Sequence, residues 1–485
     1  MTDTNGLTAG DGNEDFQAAL AAHRKGNLSA AAKVYAKVLE HDPAHAGANN
    51  NMGALLRDLG DEEKAVIYFT RALKVQPGLL ETRYSLGVIL MNLGDYKGAR
   101  MHFRTVAKSA PSDSRALVGL AALDLRSGDF VSALKEAKEA CRRNAIDANA
   151  WSIIGVANKE LGRFTEARLA YNRALDLDPN HAEAHYNRGA LRLLVGDMPN
   201  GWEDYAWRWK GEGRQAPCAD LGLPMWDGLK PKGDILAVIA EQGFGDTIQC
   251  LRYLPALKEL GFQICLRCRP ELRRLIAEQP EVDHVWCGNE PAPQADIFLP
   301  MMELPRIFST SEMRMLGRER YLGAEPAEDI KIETKKIGLV WAGSPEHESD
   351  DRRSVPLQHL KPLVEVSRCR FVSLQVGPKA LEINAMGFAG KIEDMGSRLV
   401  DFADTASVLP SLDLLISVDT AVVHLAGALG QPVWVLLPFV PDWRWQLERR
   451  DSVWYSSVRL YRQPSPGDWR SVIEAAVRDL LKYEQ

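Results

Sequence analysis

The segment NMGALLRDLGDEEKAVIYFTRALKVQPG, residues 51–78, contains the pattern that decides the first half of the fold. An apolar stretch ends at Gly60, a second stretch with helical spacing follows, and Pro77 closes the unit. Glycine ends a helix at low cost because it adopts the left-handed backbone conformation, and proline cannot continue a helix. The segment therefore predicts two helices joined by a short turn.

This helical unit recurs along the first 200 residues. The turn glycine returns every 34 residues, at Gly26, Gly60, Gly94, Gly128, Gly162 and Gly196. In-phase small and aromatic residues follow it, at Ala31, Ala65, Ala99, Ala133, Ala167, Tyr35, Phe69, Phe103 and Tyr171. A period of 34 residues is typical of tetratricopeptide repeats, which stack into a solenoid with a concave groove. We predict five repeats from about residue 12 to 181, with aromatic side chains filling the gaps between them. A sixth repeat diverges after Gly196, and we expect the groove to hold a peptide or protein.

The chain of 485 residues is long enough for two or three folding units. The polar residues 1–14 are predicted to be disordered, the repeat array to span 15–210, and a Gly/Pro-rich linker to span 211–232. Four tryptophans lie near this boundary, at Trp202, Trp207, Trp209 and Trp226. Large aromatic side chains dominate interface burial, so we interpret them as a cap on the last repeat rather than as a sugar platform.

Composition narrows the cellular setting. The net charge of −6 argues against nucleic acid or an anionic membrane as the partner. Seven cysteines at irregular spacing favour a reducing compartment over a disulfide framework. Cys265 and Cys268 fall in a predicted strand, where residues three apart face opposite sides, so no metal site is expected there. A signal peptide and an apolar stretch of membrane-spanning length are not found, and we expect a cytoplasmic protein without a membrane span.

Beyond Gly233 short apolar runs alternate with helical stretches. The runs that read as strands are 234–240, 262–268, 283–287, 295–300, 336–343, 370–377, 412–419 and 431–438. Strands that alternate with helices indicate parallel sheets with crossover helices. The pattern restarts after a charged segment near 326–335. It therefore predicts two Rossmann-like lobes, 233–330 and 331–485, with a cleft between them.

Two strand ends in this half carry glycine-containing turns. In EQGFGDT (241–247), Gly243 and Gly245 allow a backbone to approach a ligand closely, and Asp246 lies at the start of a helix. Asp246 either faces the cleft or merely caps that helix. In WAGSPEHESDDRRS (341–354), Gly343 and Ser344 form a turn, and Arg353 offers charge-assisted hydrogen bonds to phosphate. The alternative is that this segment is a solvated surface loop.

Two further strand ends carry polar groups. Gln375, in LQVGP (374–378), offers an amide for a base or a ribose. In SVDTAVVH (417–424), a strand leads through Asp419 and Thr420 into a helix that begins at Ala421. The free N–H groups and dipole of such a helix start form an anion site, and His424 lies one turn further on.

These segments together resemble one family. The resemblance rests on residues 241–257, 339–347, 350–357, 402–438 and 441–455, the last reading PDWRWQLERRDSVWY. The chain resembles tetratricopeptide-repeat-fused bacterial glycosyltransferases, whose catalytic part is similar to the lipopolysaccharide heptosyltransferases of the GT-B fold. The architecture is also similar to alphaproteobacterial flagellin glycosyltransferases and, loosely, to O-GlcNAc transferase. The resemblance implies an all-α repeat solenoid followed by an α/β GT-B pair of lobes. The lobe 233–330 is then on the acceptor side, and 331–485 binds the nucleotide sugar.

The resemblance also assigns roles. It implies that Asp246 is the catalytic base and that Asp419, Thr420, Ala421 and His424 bind the sugar-phosphate part of the donor. The phosphate-binding lysine of heptosyltransferases has no clear match here, and Arg353 is the candidate replacement. Gly243, Gly245, Gly343, Ser344 and Gln375 complete the candidate donor site. The implied reaction is metal-independent and needs no cofactor besides the nucleotide sugar as co-substrate.

The favoured hypothesis is sugar transfer from a CMP-, UDP- or GDP-linked donor to a protein held by the repeats, with flagellin as the best guess. A first alternative is a non-catalytic repeat scaffold whose transferase half has lost activity. A second is a transferase that acts on a lipid-linked or polysaccharide acceptor. The repeat array favours a protein acceptor, because a long solenoid groove suits peptides better than glycans.

Overall fold

The computed structural model describes residues 9–211, 216–217, 221–229, 234–323, 334–347 and 349–483, with the backbone alone for 9–13. The chain divides into two compact units, Met1–Asn180 and His181–Gln485. This division falls about one repeat before the boundary expected near residue 211. Of the residues expected to be disordered, 1–8 lie outside the described part, whereas 9–14 belong to a helix.

The first unit consists of helices in five successive pairs. They are α1 (Ala9–Arg24), α2 (Leu28–His41), α3 (Ala46–Asp58), α4 (Glu62–Val75), α5 (Leu80–Asn92), α6 (Tyr96–Ser109), α7 (Arg115–Arg126), α8 (Phe130–Arg143), α9 (Ala148–Glu160) and α10 (Phe164–Leu177). The glycine between the helices of each pair has φ between +74° and +84°. The left-handed turn predicted from the glycine period is therefore present in every pair of this unit.

The in-phase aromatic side chains of the second, third and fifth pairs pack against glycines on the first helix of their own pair. Phe69 is buried, and a Cβ on Gly53 would lie 2.8 Å from its ring. Phe103 covers Gly87 in the same way and also covers Gly119 of the following pair, each at 2.7 Å from the added Cβ. Aromatic rings thus fill the space that these glycines leave open, as the sequence predicts.

The second unit begins with the sixth helix pair and continues as alternating strands and helices. Its elements are α11 (Ala182–Leu194), α12 (Met198–Tyr205), β1 (Ile235–Ile239), α13 (Phe244–Cys250), α14 (Leu254–Glu259), β2 (Gln263–Cys268), α15 (Arg273–Ala277), β3 (His284–Cys287), β4 (Ile297–Pro300), α16 (Leu304–Ile307), β5 (Lys335–Val340), α17 (Asp350–Arg353), α18 (Lys361–Val364), β6 (Cys369–Ser373), α19 (Glu382–Ala385), β7 (Ile392–Asp394), α20 (Phe402–Val408), β8 (Leu414–Val418), α21 (Ala421–Ala428), β9 (Val433–Leu437), β10 (Val458–Arg462) and α22 (Trp469–Tyr483). No described helix is both long and apolar enough to cross a bilayer.

The strands form two parallel sheets. The first has the order β3-β2-β1-β4 and the second the order β10-β9-β8-β5-β6-β7. Read from β7, the second order is the 3-2-1-4-5-6 arrangement of doubly wound α/β folds, which bind ligands beyond the carboxyl ends of the strands where the order reverses. That position lies between β5 and β8. The eight predicted strands are present, but β7 and β10 were missed because one is very short and the other alternates polar and apolar residues.

Tryptophan packing explains why the sixth helix pair belongs to the second unit. Trp202 on α12 is 2% exposed, and its ring centroid lies 5.2 Å from that of Trp443 and 6.3 Å from that of Trp454. Its indole N–H donates to the Thr310 carbonyl oxygen at 2.9 Å. The cap interpretation holds for Trp202, whose contacts tie α12 to segments more than 100 residues away. Trp226, within the expected linker, is likewise buried against Phe262.

The unit boundary predicts how fragments behave. We expect a fragment of residues 181–485 to stay folded and monomeric, and a fragment of residues 211–485 to aggregate. The shorter fragment lacks α12 and therefore exposes the apolar surface that Trp202 covers on Trp443 and Trp454. Size-exclusion chromatography with light scattering measures the difference. Equal solubility of the two fragments would show that the boundary lies near residue 211 after all.

Candidate functional site

The helix starts that follow β1 and β8 meet at the carboxyl edges of the two sheets. Helix α13 begins at Phe244, and α21 begins at Ala421. A Cβ added to Gly245 would lie 2.6 Å from Cδ2 of His424 and 3.5 Å from Cα of Ala421. Only a glycine permits this approach, so residues of the two predicted motifs lie in one place.

Asp246 both caps its helix and forms an ion pair. Its Oδ2 accepts the Gly243 N–H at 2.8 Å, and its Oδ1 pairs with the Arg444 guanidinium. The sequence left open whether Asp246 is a cap or faces the cleft. The structure shows that Asp246 caps the helix and that it also pairs with Arg444, a contact that capping does not require.

Arg444 connects the two sheets and was not singled out from the sequence. Its side chain is 8% exposed. Its Nε donates to Gln249 Oε1 at 2.6 Å, and one terminal nitrogen donates to Asp442 Oδ1 at 2.8 Å while the other reaches Asp246. The only sequence signal for it was its place in PDWRWQLERR, one of the segments that carry the family resemblance.

His424 is a buried and neutral side chain. Its Nδ1 lies 2.9 Å from the Tyr455 hydroxyl, and its ring stacks on Trp445 at 5.4 Å. Burial, together with the charges of Arg444 and Arg252, holds the pKa of the imidazole well below its usual value. His424 therefore brings no positive charge to an anion at the start of α21, although a neutral imidazole can still donate one hydrogen bond.

Asp419 lies two residues before the start of α21, near the carboxylate of Asp442. Burial and the neighbouring Asp442 carboxylate raise the pKa of Asp419 to about 6, against the opposing positive charges of Arg353 and Arg444. Thr420 precedes the first helical residue, and its side chain makes no capping hydrogen bond to the helix. Its hydroxyl lies 3.2 Å from that of Ser417.

Arg353 lies over the predicted turn at the end of β5. Its Nε donates to Asp350 Oδ1 at 3.1 Å, and a side chain added to Gly343 would collide with its guanidinium. The Arg353 side chain is only 17% exposed, which excludes the solvated-loop alternative for this residue. Ser344 is exposed, and its hydroxyl accepts a weak hydrogen bond from Glu346 N–H at 3.4 Å. Gly343, Arg353 and Asp419 therefore share one end of the second sheet.

Gln375 follows a strand end, as predicted, but its side chain is hydrogen-bonded to the protein backbone. Its Oε1 accepts the N–H groups of Trp341 and Ala342 at 3.1 and 2.9 Å, and its Nε2 donates to the Val376 carbonyl oxygen at 3.1 Å. The side chain is 3% exposed. The Gln375 oxygen therefore orders the turn after β5 and is not free to accept a hydrogen bond from a base or ribose.

Comparison with known proteins identifies the repeats. Family models described as "Tetratricopeptide repeat" and "TPR repeat" match residues 16–79, 84–149 and 155–196. The repeat period read from the sequence is confirmed by these matches. The chain therefore contains an N-terminal tetratricopeptide array.

One curated relative and several solved structures are similar to the chain. Protein FlbA of Caulobacter vibrioides is 24% identical over an alignment that covers 72% of this chain and 70% of FlbA. A tetratricopeptide repeat protein from Parabacteroides merdae matches 43% of this chain and 82% of its own, with 18% identity and a TM-score of 0.38. YrrB, a TPR protein with an unusual peptide-binding site, matches 36% of this chain and 91% of its own, with 21% identity and a TM-score of 0.30.

The contact between α13 and α21 predicts a stability difference between two glycine variants. Gly245→Ala is expected to destabilise the protein by about 1–3 kcal/mol, because the added methyl overlaps a buried imidazole that is stacked in place. Gly243→Ala is the matched control. Its added Cβ meets only Asp246 Oδ2, at 3.0 Å, and its φ of −86° suits any residue. Urea unfolding compares the variants, and equal destabilisation would contradict the close approach.

The raised pKa of Asp419 predicts a pH-dependent effect of Asp419→Asn. The carboxyl has a pKa of about 6 in the folded protein and about 4 in an unfolded chain. The folded state thus binds this proton more tightly than the unfolded chain does. The stability contributed by proton binding is complete below pH 4 and is lost as pH rises through 6. We expect Asp419→Asn to be more stable than the wild type at pH 7, by about 1–3 kcal/mol.

Urea unfolding of both proteins at pH 4.5 and pH 7 tests this expectation. The stability difference between variant and wild type should grow with pH, since only the wild type ionises at this position. A difference that stays constant or shrinks between the two pH values would show that Asp419 is not held in its protonated form by the fold.

Proposed function

We propose that the second unit is a glycosyltransferase of the GT-B type that transfers a sugar from a nucleotide-activated donor. The observation that carries the proposal is the meeting of α13 and α21 at Gly245 and His424, where the carboxyl edges of two parallel sheets come together. Open parallel sheets bind ligands at these edges, and a transferase needs donor and acceptor groups from both sides. The family resemblance of the same segments supports the assignment.

The donor phosphates are proposed to bind at the second sheet. Helix α21 begins where the two sheets meet, a helix start favours an anion, and Arg353 lies at the neighbouring strand end. An arginine forks onto phosphate oxygens with two parallel hydrogen bonds. Gln249, on α13 beside the first sheet, supports a ligand site where the two sheets meet, because its Nε2 is buried and has no hydrogen-bond partner among the described residues. A buried donor without an acceptor favours a site that a polar ligand completes.

Asp246 is proposed to accept the proton of the acceptor hydroxyl. Each carboxylate oxygen offers about two acceptor positions. The contacts with Gly243 and Arg444 use one position on each oxygen, which leaves one on each for a substrate. Arg444 holds the carboxylate in a fixed orientation, as a positioned general base requires.

The repeat array is proposed to hold the protein acceptor, flagellin, in the cytoplasm. The acidic and basic groups assembled above belong to the second unit, so the first unit is free to select the acceptor. A CMP-, UDP- or GDP-linked sugar is the proposed co-substrate. The alternative of a non-catalytic repeat scaffold predicts that no nucleotide binds.

Nucleotide binding is the first test of this function. We expect CMP, UDP or GDP to bind the wild type in calorimetry, and Arg353→Ala to weaken that binding by about one to two decades. One charge-assisted hydrogen bond is worth about 1.5–3 kcal/mol. Arg352→Ala removes an adjacent guanidinium and is the matched control, with little expected effect. If none of the three nucleotides binds the wild type, the transferase proposal fails and the scaffold alternative gains support.

Turnover tests the role of Asp246. Asp246→Asn is expected to lower the rate of sugar transfer by about 10²–10⁴ while nucleotide affinity stays unchanged, because the amide cannot take up a proton. Asp442→Asn is the matched control, since it breaks another ion pair of the same guanidinium without removing the proposed base. Its rate should fall less than about tenfold. Comparable losses in the two variants would assign Asp246 to the support of Arg444 alone.

A further inference from the structure

The sixth helix pair contacts the loop of residues 241–246, here called the first glycine loop. Tyr205, the last residue of α12, is 2% exposed. Its hydroxyl lies 3.1 Å from Oε1 and 3.0 Å from Nε2 of Gln242. The Gln242 side chain therefore reaches back from the α/β region onto the last tetratricopeptide repeat.

Gln242 has a backbone conformation that needs such support. Its φ is +63°, in the left-handed region that residues with a Cβ avoid. A non-glycine residue persists there only when its surroundings hold it in place. The next residue, Gly243, donates its N–H to Asp246 Oδ2 at 2.8 Å. The backbone turn at Gln242 therefore determines whether that N–H reaches the carboxylate.

A buried ion-pair cluster fixes the residue just before Gln242. Arg208 is 4% exposed and lies three residues beyond the end of α12. Its guanidinium donates to both oxygens of Glu241, at 2.8 and 3.2 Å, and to Glu303 at 2.6 Å. Glu241 Oε1 also accepts the Met302 N–H at 3.0 Å. Breaking a buried pair is costly because it leaves an uncompensated charge, so this cluster holds the start of the loop firmly.

We infer that the sixth repeat is a positioning element of the candidate site rather than part of the acceptor-holding array. Tyr205 and Arg208 hold Gln242 and Glu241, and these residues set the loop that orients Asp246. The two side chains are positioning residues, since neither touches the reacting groups. The catalytic meaning of this arrangement rests on the proposed function, whereas the coupling between Tyr205 and the loop does not.

The coupling is tested in the full-length chain by a double-mutant cycle. Tyr205→Phe removes the hydroxyl and keeps the buried ring. Gln242→Asn keeps a residue type that tolerates the left-handed conformation, but its side chain is too short to reach Tyr205. The two single variants, the double variant and the wild type are compared by hydrogen–deuterium exchange of the peptide that spans residues 241–247.

Each single variant is expected to exchange about five- to tenfold faster in this peptide, as for the loss of one hydrogen bond. The double variant should exchange no faster than the faster single variant, because both changes break the same contact. Exchange in α22, which is remote in the chain, should not change. Tyr186→Phe is the matched control: it removes the hydroxyl of a ring 5.1 Å from that of Tyr205 and should leave the loop unaffected. Additive effects in the double variant would overturn the inference.

Transfer kinetics separate this inference from the proposed function. If the wild type transfers sugar, Tyr205→Phe and Gln242→Asn should lower kcat by a similar factor and leave the donor KM unchanged. Unchanged kcat in both variants would overturn the positioning role. If the wild type transfers no sugar, the proposed function fails, and the exchange cycle alone decides whether the sixth repeat holds the loop.

Discussion

The α/β region depends on one buried guanidinium, that of Arg444. The guanidinium is almost fully buried, and it donates hydrogen bonds to Gln249, Asp442 and Asp246. A buried arginine is tolerated only when its desolvation is offset by well-placed acceptors. Two of these acceptors follow β1 and the third lies on the segment after β9, so the charge balance of Arg444 is complete only when the two sheets are together.

The charges gathered around Arg444 also affect the protonation of two neighbouring side chains, His424 and Asp419. The charge of Arg444 disfavours a proton on His424, while the carboxylate of Asp442 makes Asp419 harder to ionise. A phosphate that arrives near α21 brings further negative charge and favours the protonated form of Asp419 still more. At the proposed donor site, a bound phosphate would therefore favour proton uptake by Asp419, whose pKa is already raised to about 6.

The sequence predicts the parts of this structure that depend on local patterns. The repeats follow from a glycine at every left-handed turn, and the buried strands follow from apolar runs bounded by turns. The site residues were predicted less completely, because their partners are distant in the chain. Arg444 and Gln249 are 195 residues apart, and the amide of Gln375 is satisfied by a strand end 33 residues before it. Spacing shows that a polar residue lies at a strand end, but only packing shows which group it meets.

The sixth repeat shows how one periodic pattern serves two purposes. Tyr171 and Tyr205 are 34 residues apart and occupy equivalent positions in successive repeats. The hydroxyl of Tyr171 is buried and has no hydrogen-bond partner among the described residues, whereas that of Tyr205 is bonded to Gln242. The aromatic ring is explained by the repeat, which needs a large side chain to fill a gap at this position. The hydroxyl is explained by the sheet that follows, since the left-handed turn at Gln242 needs a fixed polar group beside it. The period therefore predicts where the ring lies, and the neighbouring domain decides what its polar end does.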